Sequence, residues 1–169
     1  MIIHCTKKMA AKFPNVQSEP QIETSPLGSW HANLYTFDHR QCILFTHDET
    51  RYSLFIPGVV KSMLDNFDEF FKGMFLGSLF AIGVPDNQLS RVELALGKMT
   101  FDSCTDRSVL GSMNTLKPMI HSRVCEVENV MDLDLIEMNY WLTDIPMGTS
   151  TKAGFGWPQK DMKALVANL

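Results

Sequence analysis

One stretch constrains this chain more than any other. Between residues 59 and 82, Val60, Met63, Leu64, Phe67, Phe70, Phe71, Met74 and Phe75 recur at three- and four-residue spacing. Apolar residues with that period line one side of a helix, and the stripe must be buried against something. The later half is apolar on nearly every side, which predicts deep burial there. A Phe and Met stripe can also serve a cofactor pocket or a dimer face, but core packing is its ordinary use.

The partner for that helix lies just upstream. Residues 32–38 (ANLYTFD) and 41–47 (QCILFTH) are two β-rich runs around His39 and Arg40, the pattern of a tight antiparallel hairpin. Arg51 to Ile56 gives a third strand after the polar turn His47-Asp48-Glu49-Thr50, and the three make a meander. Met1 to Thr6 reads as a short strand, with Thr6 capping a helix to about Phe13. Residues 14–28 follow without periodicity, a loop long enough to be mobile or functional.

Downstream, Asp86 and Gly97 bracket a short helix, and Lys98 to Cys104 reads as a strand. Ser108 to about Arg123 looks helical, although Pro118 should kink or split it. Asp132 to Ile145 is a clearer helix, a Gly/Thr/Ser-rich segment follows, and Pro158 opens a last helix to about Leu169. Strands gather early and helices late. The expected class is therefore α+β, with an antiparallel β-meander sheet packed by helices on one face. At 169 residues, 45% of them apolar, the chain suits a single domain spanning 1–169.

Several function classes drop out. The net charge is −4 and the cations are scattered, with Lys7, Lys8 and Lys12 as the only local group, so no nucleic-acid partner is expected. Gly73 to Val84 is too short for a membrane span, which needs about 20 apolar residues. Cys5, Cys42, Cys104 and Cys125 are far apart without C-x-x-C, and the N-terminus lacks a signal-peptide pattern. Together these point to reduced thiols in a cytoplasmic protein. There is no H-x-x-x-H, no H-E-x-x-H and no close Cys/His pair with zinc geometry, so no metal site is expected. His4 and Cys5, adjacent on a strand, project to opposite faces. No G-x-S-x-G elbow and no phosphate-cradling glycine loop occur, so no cofactor is expected either.

Three polar clusters stand out. The first is Ser29-Trp30-His31-Ala32-Asn33, where the long loop enters the sheet and can present His31 and Asn33 to a ligand; Trp30 as a loop anchor is the plainer use. The second is Thr46 to Arg51, where His47 beside Asp48 and Glu49 can act as a base, although turn chemistry accounts for the same residues. The third is Thr105 to Asn114, crossing from strand to helix. Arg107, Ser108, Ser112 and Asn114 there surround a helix start able to hold an anion, unless Asp106 or Ser108 already caps it.

The segments MIIHCTKK, PLGSWHANL, RQCILFTHDETRYSLFIPG and DRSVLGSMN resemble a family of small bacterial proteins of unknown function. The resemblance runs from residue 1 to about Pro146. It implies a bacterial, cytoplasmic accessory protein from the mobile gene pool, and it implies no activity. The leading expectation is a non-catalytic binding or protein-interaction module that self-associates as a homodimer. Its polar groups around His31, Asn33, Arg107 and Asn114 would contact a small anionic ligand or a protein partner. The competing expectation is a small enzyme acting on an anionic metabolite, with Arg107 holding charge and His31 or His47 moving a proton.

Overall fold

The computed structural model describes residues 1–148 and 154–169. Strands β1 (Ile2–Cys5), β2 (Trp30–Phe37), β3 (Arg40–His47), β4 (Ser53–Ile56) and β5 (Thr100–Asp102) form one sheet in the order β4-β3-β2-β1-β5. The β2-β3-β4 meander is antiparallel as the turn chemistry requires, and Asp38 and His39 at its first turn have positive φ. β1, however, pairs in parallel with both β2 and β5. The sheet is therefore mixed, which corrects the purely antiparallel expectation. Parallel neighbours need long crossovers, and residues 6–29 and 57–99 supply them.

The helices are α1 (Lys7–Ala10), α2 (Lys61–Asp65), α3 (Phe67–Ala81), α4 (Asp86–Leu96), α5 (Arg107–Val124), α6 (Leu135–Asp144) and α7 (Pro158–Ala167). A two-residue pair, β6 (Met147–Gly148) with β7 (Phe155–Gly156), precedes α7. Most of the Gly/Thr/Ser-rich segment lies outside the described residues. The long Phe/Met helix is broken at Asn66, whose φ of −119° and ψ of 40° leave the helical region. Phe67, Phe71, Phe75 and Leu79 of α3 are buried, and Phe71 and Phe75 meet the Trp30 ring edge-on at 5.2 and 5.1 Å.

Helices cover both faces of the sheet, not one. Ile3, Cys5, Trp30, Ala32, Phe45 and Leu54 share a core with α3, α4 and α7. Their strand neighbours Tyr35, Phe37, Cys42, Leu44 and Phe55 share a second core with Met113, Leu116 and Ile120 of α5 and Met138 and Leu142 of α6. The reason is in the strands: Cys42 to Phe45 and Leu54 to Ile56 are apolar without alternation, and a sheet greasy on both sides needs two covers. α5 runs unbroken through Pro118, contrary to the expected kink. Pro118 and Asn114 are both exposed, so water can satisfy the carbonyl that the missing N–H leaves open.

Both sheet edges are engaged. On β4, the buried Asn139 carboxamide of α6 accepts from the Phe55 N–H at 2.6 Å and donates to the Phe55 carbonyl at 3.2 Å. On β5, Gln17 of the long loop donates its N–H to the Phe101 carbonyl at 2.9 Å and accepts from the Ser103 N–H at 3.0 Å. Among the described residues no helix is long and apolar enough to cross a membrane.

Candidate functional site

The register aligns a row of polar residues across all five strands. Asp102 on β5 faces His4 on β1, His4 faces His31 on β2, His31 faces Thr46 on β3, and Thr46 faces Ser53 on β4. Cross-strand partners point the same way, so the row lies on one face, the one covered by α5. The start of α5 and the turn after β3 close over it, and this brings together part of each polar cluster: Ser29 and His31, Asp48 and Arg51, and Asp106 and Ser108.

The row is knitted by short hydrogen bonds. His4 Nδ1 stands 2.6 Å from Oδ1 of the fully buried Asp102, and His4 Nε2 is 3.6 Å from Asp48 Oδ2. Asp102 also accepts from the Cys104 N–H at 3.0 Å. His31 Nδ1 is 2.6 Å from Asp48 Oδ1, while His31 Nε2 accepts the Asp106 backbone N–H at 2.7 Å. A backbone N–H can only donate, so Nε2 is bare and the His31 proton sits on Nδ1, facing Asp48. Asp48 accepts from Ser29 as well, at 2.7 Å. Burial alone would raise the Asp48 carboxyl, but His31, Ser29 and His4 outweigh it and hold the group below its ordinary range.

Arg51 completes the seam. Its side chain is buried, and its two terminal nitrogens donate to the Asp48 carbonyl and, at 2.9 Å, to Ser108 Oγ. Burial lowers its pKa, with the nearby Asp48 and Asp106 charges opposing that shift. Its backbone takes a positive φ of 60°, which bends the chain sharply into β4.

His47 belongs to the other side of the sheet. Neighbouring Thr46 faces His31, so alternation turns His47 toward Trp30 on the α3 face, ring to ring at 5.1 Å. Its Nε2 donates to the Leu27 carbonyl at 2.6 Å and its Nδ1 accepts the Thr50 N–H at 3.1 Å. Burial lowers its pKa, against the bond to the Leu27 carbonyl, which would raise it. Both ring nitrogens of His31 and of His47 are thus engaged within the protein.

The remaining sequence candidates separate into two groups. Trp30 is a core residue, Asn33 accepts from the Thr6 hydroxyl at 2.8 Å, and Ser112 is buried on α5 against the Ser108 carbonyl. Thr6 therefore spends its hydroxyl on β2 and makes no side-chain cap for α1. Arg107 and Asn114 are exposed on α5, away from the seam's bonds. The α5 N-terminus is occupied, because Asp106 accepts from the Ser108 and Val109 N–H groups at 2.8 and 3.1 Å. The sequence signals weigh His4 only as a metal ligand and miss its pairing with Asp102, which the parallel register of β1 and β5 creates, and the Arg51 bonds, which the start of α5 completes. Among the described residues no three His, Cys, Asp or Glu side chains are arranged to hold a metal ion.

A second feature lies on the α3 and α6 surface. Gly73, Met74, Gly77, Ser78, Phe80 and Ala81 of α3 and Leu135, Ile136 and Asn139 of α6 line an almost wholly apolar groove of about 250 Å³. Phe80 is 66% exposed on one bank and Ile136 is 71% exposed on the other. A Cβ built at Gly73 or Gly77 would meet nothing within 4 Å. Mid-helix glycine costs about 1 kcal/mol relative to alanine, and among the described residues no close contact calls for either one.

None of the curated proteins compared with the chain matches it. A family model described as a domain of unknown function, DUF6933, matches residues 2–161, and the chain belongs to that family.

Proposed function

We propose that this chain is a non-catalytic protein-interaction module that self-associates through the groove between α3 and α6. The observation that carries this reading is the pair Gly73 and Gly77, two costly helix-interior glycines that open onto an apolar groove instead of the core. Small residues one turn apart let a second backbone approach closely.

The groove also carries its own complement. Gly73, Gly77 and Phe80 follow i, i+4, i+7 and share one helix face. Two antiparallel copies of α3 related by a twofold axis near residues 76 and 77 would seat each Phe80 over the other's Gly73. A patch holding both knob and hole is what an isologous dimer requires. The covered sheet edges favour this face over strand addition, since Asn139 and Gln17 already take up edge backbone groups.

The metabolite-enzyme reading finds less support. Arg107 is exposed on α5, His31 has both ring nitrogens bonded within the protein, and His47 lies across the sheet. The polar seam fits a structural role in a cytoplasmic protein whose thiols stay reduced.

Sedimentation equilibrium on the full chain tests the proposal. A dimer is expected, converting to monomer in Phe80→Glu. A strict monomer at the highest soluble concentration, or a dimer indifferent to both Phe80→Glu and Ile136→Glu, overturns it.

A further inference from the structure

A separate feature sits at the far end of α5. His121 and Cys125 are one helical turn apart, both exposed, with Cys125 Sγ 3.7 Å from His121 Nδ1. This His-x-x-x-Cys spacing is a close Cys/His pair of the kind the sequence was expected to lack.

We propose that His121 and Cys125 form a two-residue chelate for a soft divalent transition metal such as zinc, cobalt or cadmium. In a tetrahedral site, metal–sulfur bonds of about 2.3 Å and metal–nitrogen bonds of about 2.0–2.1 Å place the two donors about 3.6 Å apart. The pair already stands at that separation. Thiolate with imidazole is also the donor combination that selects such metals over magnesium or calcium.

The helix end decides between the two uses of a Cys/His pair. A bare thiolate nucleophile is disfavoured at a helix C-terminus, where the backbone carbonyls present partial negative charge, whereas a bound cation is favoured there. Arg123, the nearest cation in the sequence, is turned aside: it sits over the Trp141 ring at 4.8 Å and pairs with Glu126 at 3.4 Å. The other thiols offer no such pair. Cys5 is buried and pushed up to about 12, chiefly by burial, Cys42 is buried, and Cys104 donates to the Ser18 carbonyl at 3.5 Å.

Binding releases the Cys125 thiol proton to solvent as the metal–sulfur bond forms, while neutral His121 contributes its Nδ1 lone pair. Oxidation states do not change, and water fills the remaining positions. Affinity therefore rises with pH.

Cobalt titration of the reduced, full-length protein reads this directly. A thiolate-to-cobalt charge-transfer band is expected to saturate at one metal per chain and to bleach when zinc is added. The band should vanish in Cys125→Ser, persist in Cys104→Ser, and need roughly tenfold more cobalt or beyond in His121→Ala. Circular dichroism of each variant separates lost binding from lost folding. Absence of the band at millimolar cobalt, its loss in Cys104→Ser, or its indifference to His121→Ala overturns the proposal.

Discussion

Replacing Gly73 and Gly77 by alanine should make the monomer more stable and the assembly weaker. Both residues lie inside α3 with ordinary φ values, and an added Cβ at either meets no atom within 4 Å. Each substitution therefore gains the helix propensity of alanine, about 1 kcal/mol, without a steric penalty in the monomer. For a chain of this size 1 kcal/mol moves the midpoint of thermal unfolding by roughly 2–4 °C, so the double variant should melt about 4–8 °C higher. The comparison belongs at protein concentrations below the dimer dissociation constant, because association raises apparent stability by mass action. At a close helix crossing the same two methyl groups overpack the interface, at roughly 1–3 kcal/mol each, a weakening of about tenfold or more. Gly111 of α5 provides the control: its Cβ would also meet open space, but it does not line the groove. Gly111→Ala should raise the midpoint with no change in dimer mass. If Gly77→Ala stabilises the fold while sedimentation gives an unchanged or tighter dimer, the glycines do not mark the interface and the reasoning fails.

Three further outcomes follow from the buried polar groups. His47 is held neutral by burial, so below its ordinary pKa of 6.5 the unfolded chain binds a proton that the folded chain refuses. Stability must fall with falling pH in that range, by a slope approaching one proton, and urea melts of His47→Gln between pH 7 and 5 should show a flatter dependence. Asp48 has its folded pKa below the ordinary 3.8, so its contribution is fully present above that value and is lost as pH drops through the folded pKa. Acid titrations of Asp48→Asn should accordingly show a shallower decline below about pH 3.8 than the parent chain; an identical decline would mean the His31 contact contributes nothing. Asn139→Ala leaves the Phe55 N–H and carbonyl unpaired at a covered sheet edge, which should cost about 2–4 kcal/mol in urea denaturation. A loss within experimental error would show that water replaces the carboxamide there.

The legible parts of this fold were those with a local signature. The meander needed only turn residues and strand runs, and the Phe stripe of α3 needed only its own period. The parallel strands had no such signature, because β1 meets β2 and β5 across separations that no local pattern encodes. The second helical layer did leave a trace, in the unbroken apolar run Cys42 to Phe45. A hairpin with one wet face would have alternated there. At the site, His31, Asp48 and Ser108 each stood out as polar residues, but the His31–Asp48 bond and the Arg51–Ser108 bond depend on how the turn after β3 and the start of α5 close over the sheet. Parity alone could have separated the two histidines once the hairpin register was known. Thr46 faces His31, so its neighbour His47 had to point the other way.

The seam and the groove call for opposite inferences from the same kind of accounting. In the seam, desolvating Asp48, Arg51, Asp102 and two imidazoles is costly, and hydrogen bonds inside the protein offset that cost. Those bonds tie residues 29, 31, 48, 51, 106 and 108 into one unit, with the His4–Asp102 pair beside it, which is reason enough for their presence. In the groove the cost is conformational, two glycines within α3, and no contact among the described residues offsets it. An exposed phenylalanine beside them adds an unfavourable hydrated surface where a small side chain would serve solubility better. Unlike Gly111, these glycines line an apolar groove beside an exposed Phe80, and that combination points to a contact outside the chain, with the shared face of Gly73, Gly77 and Phe80 making a second copy of α3 the occupant that fits.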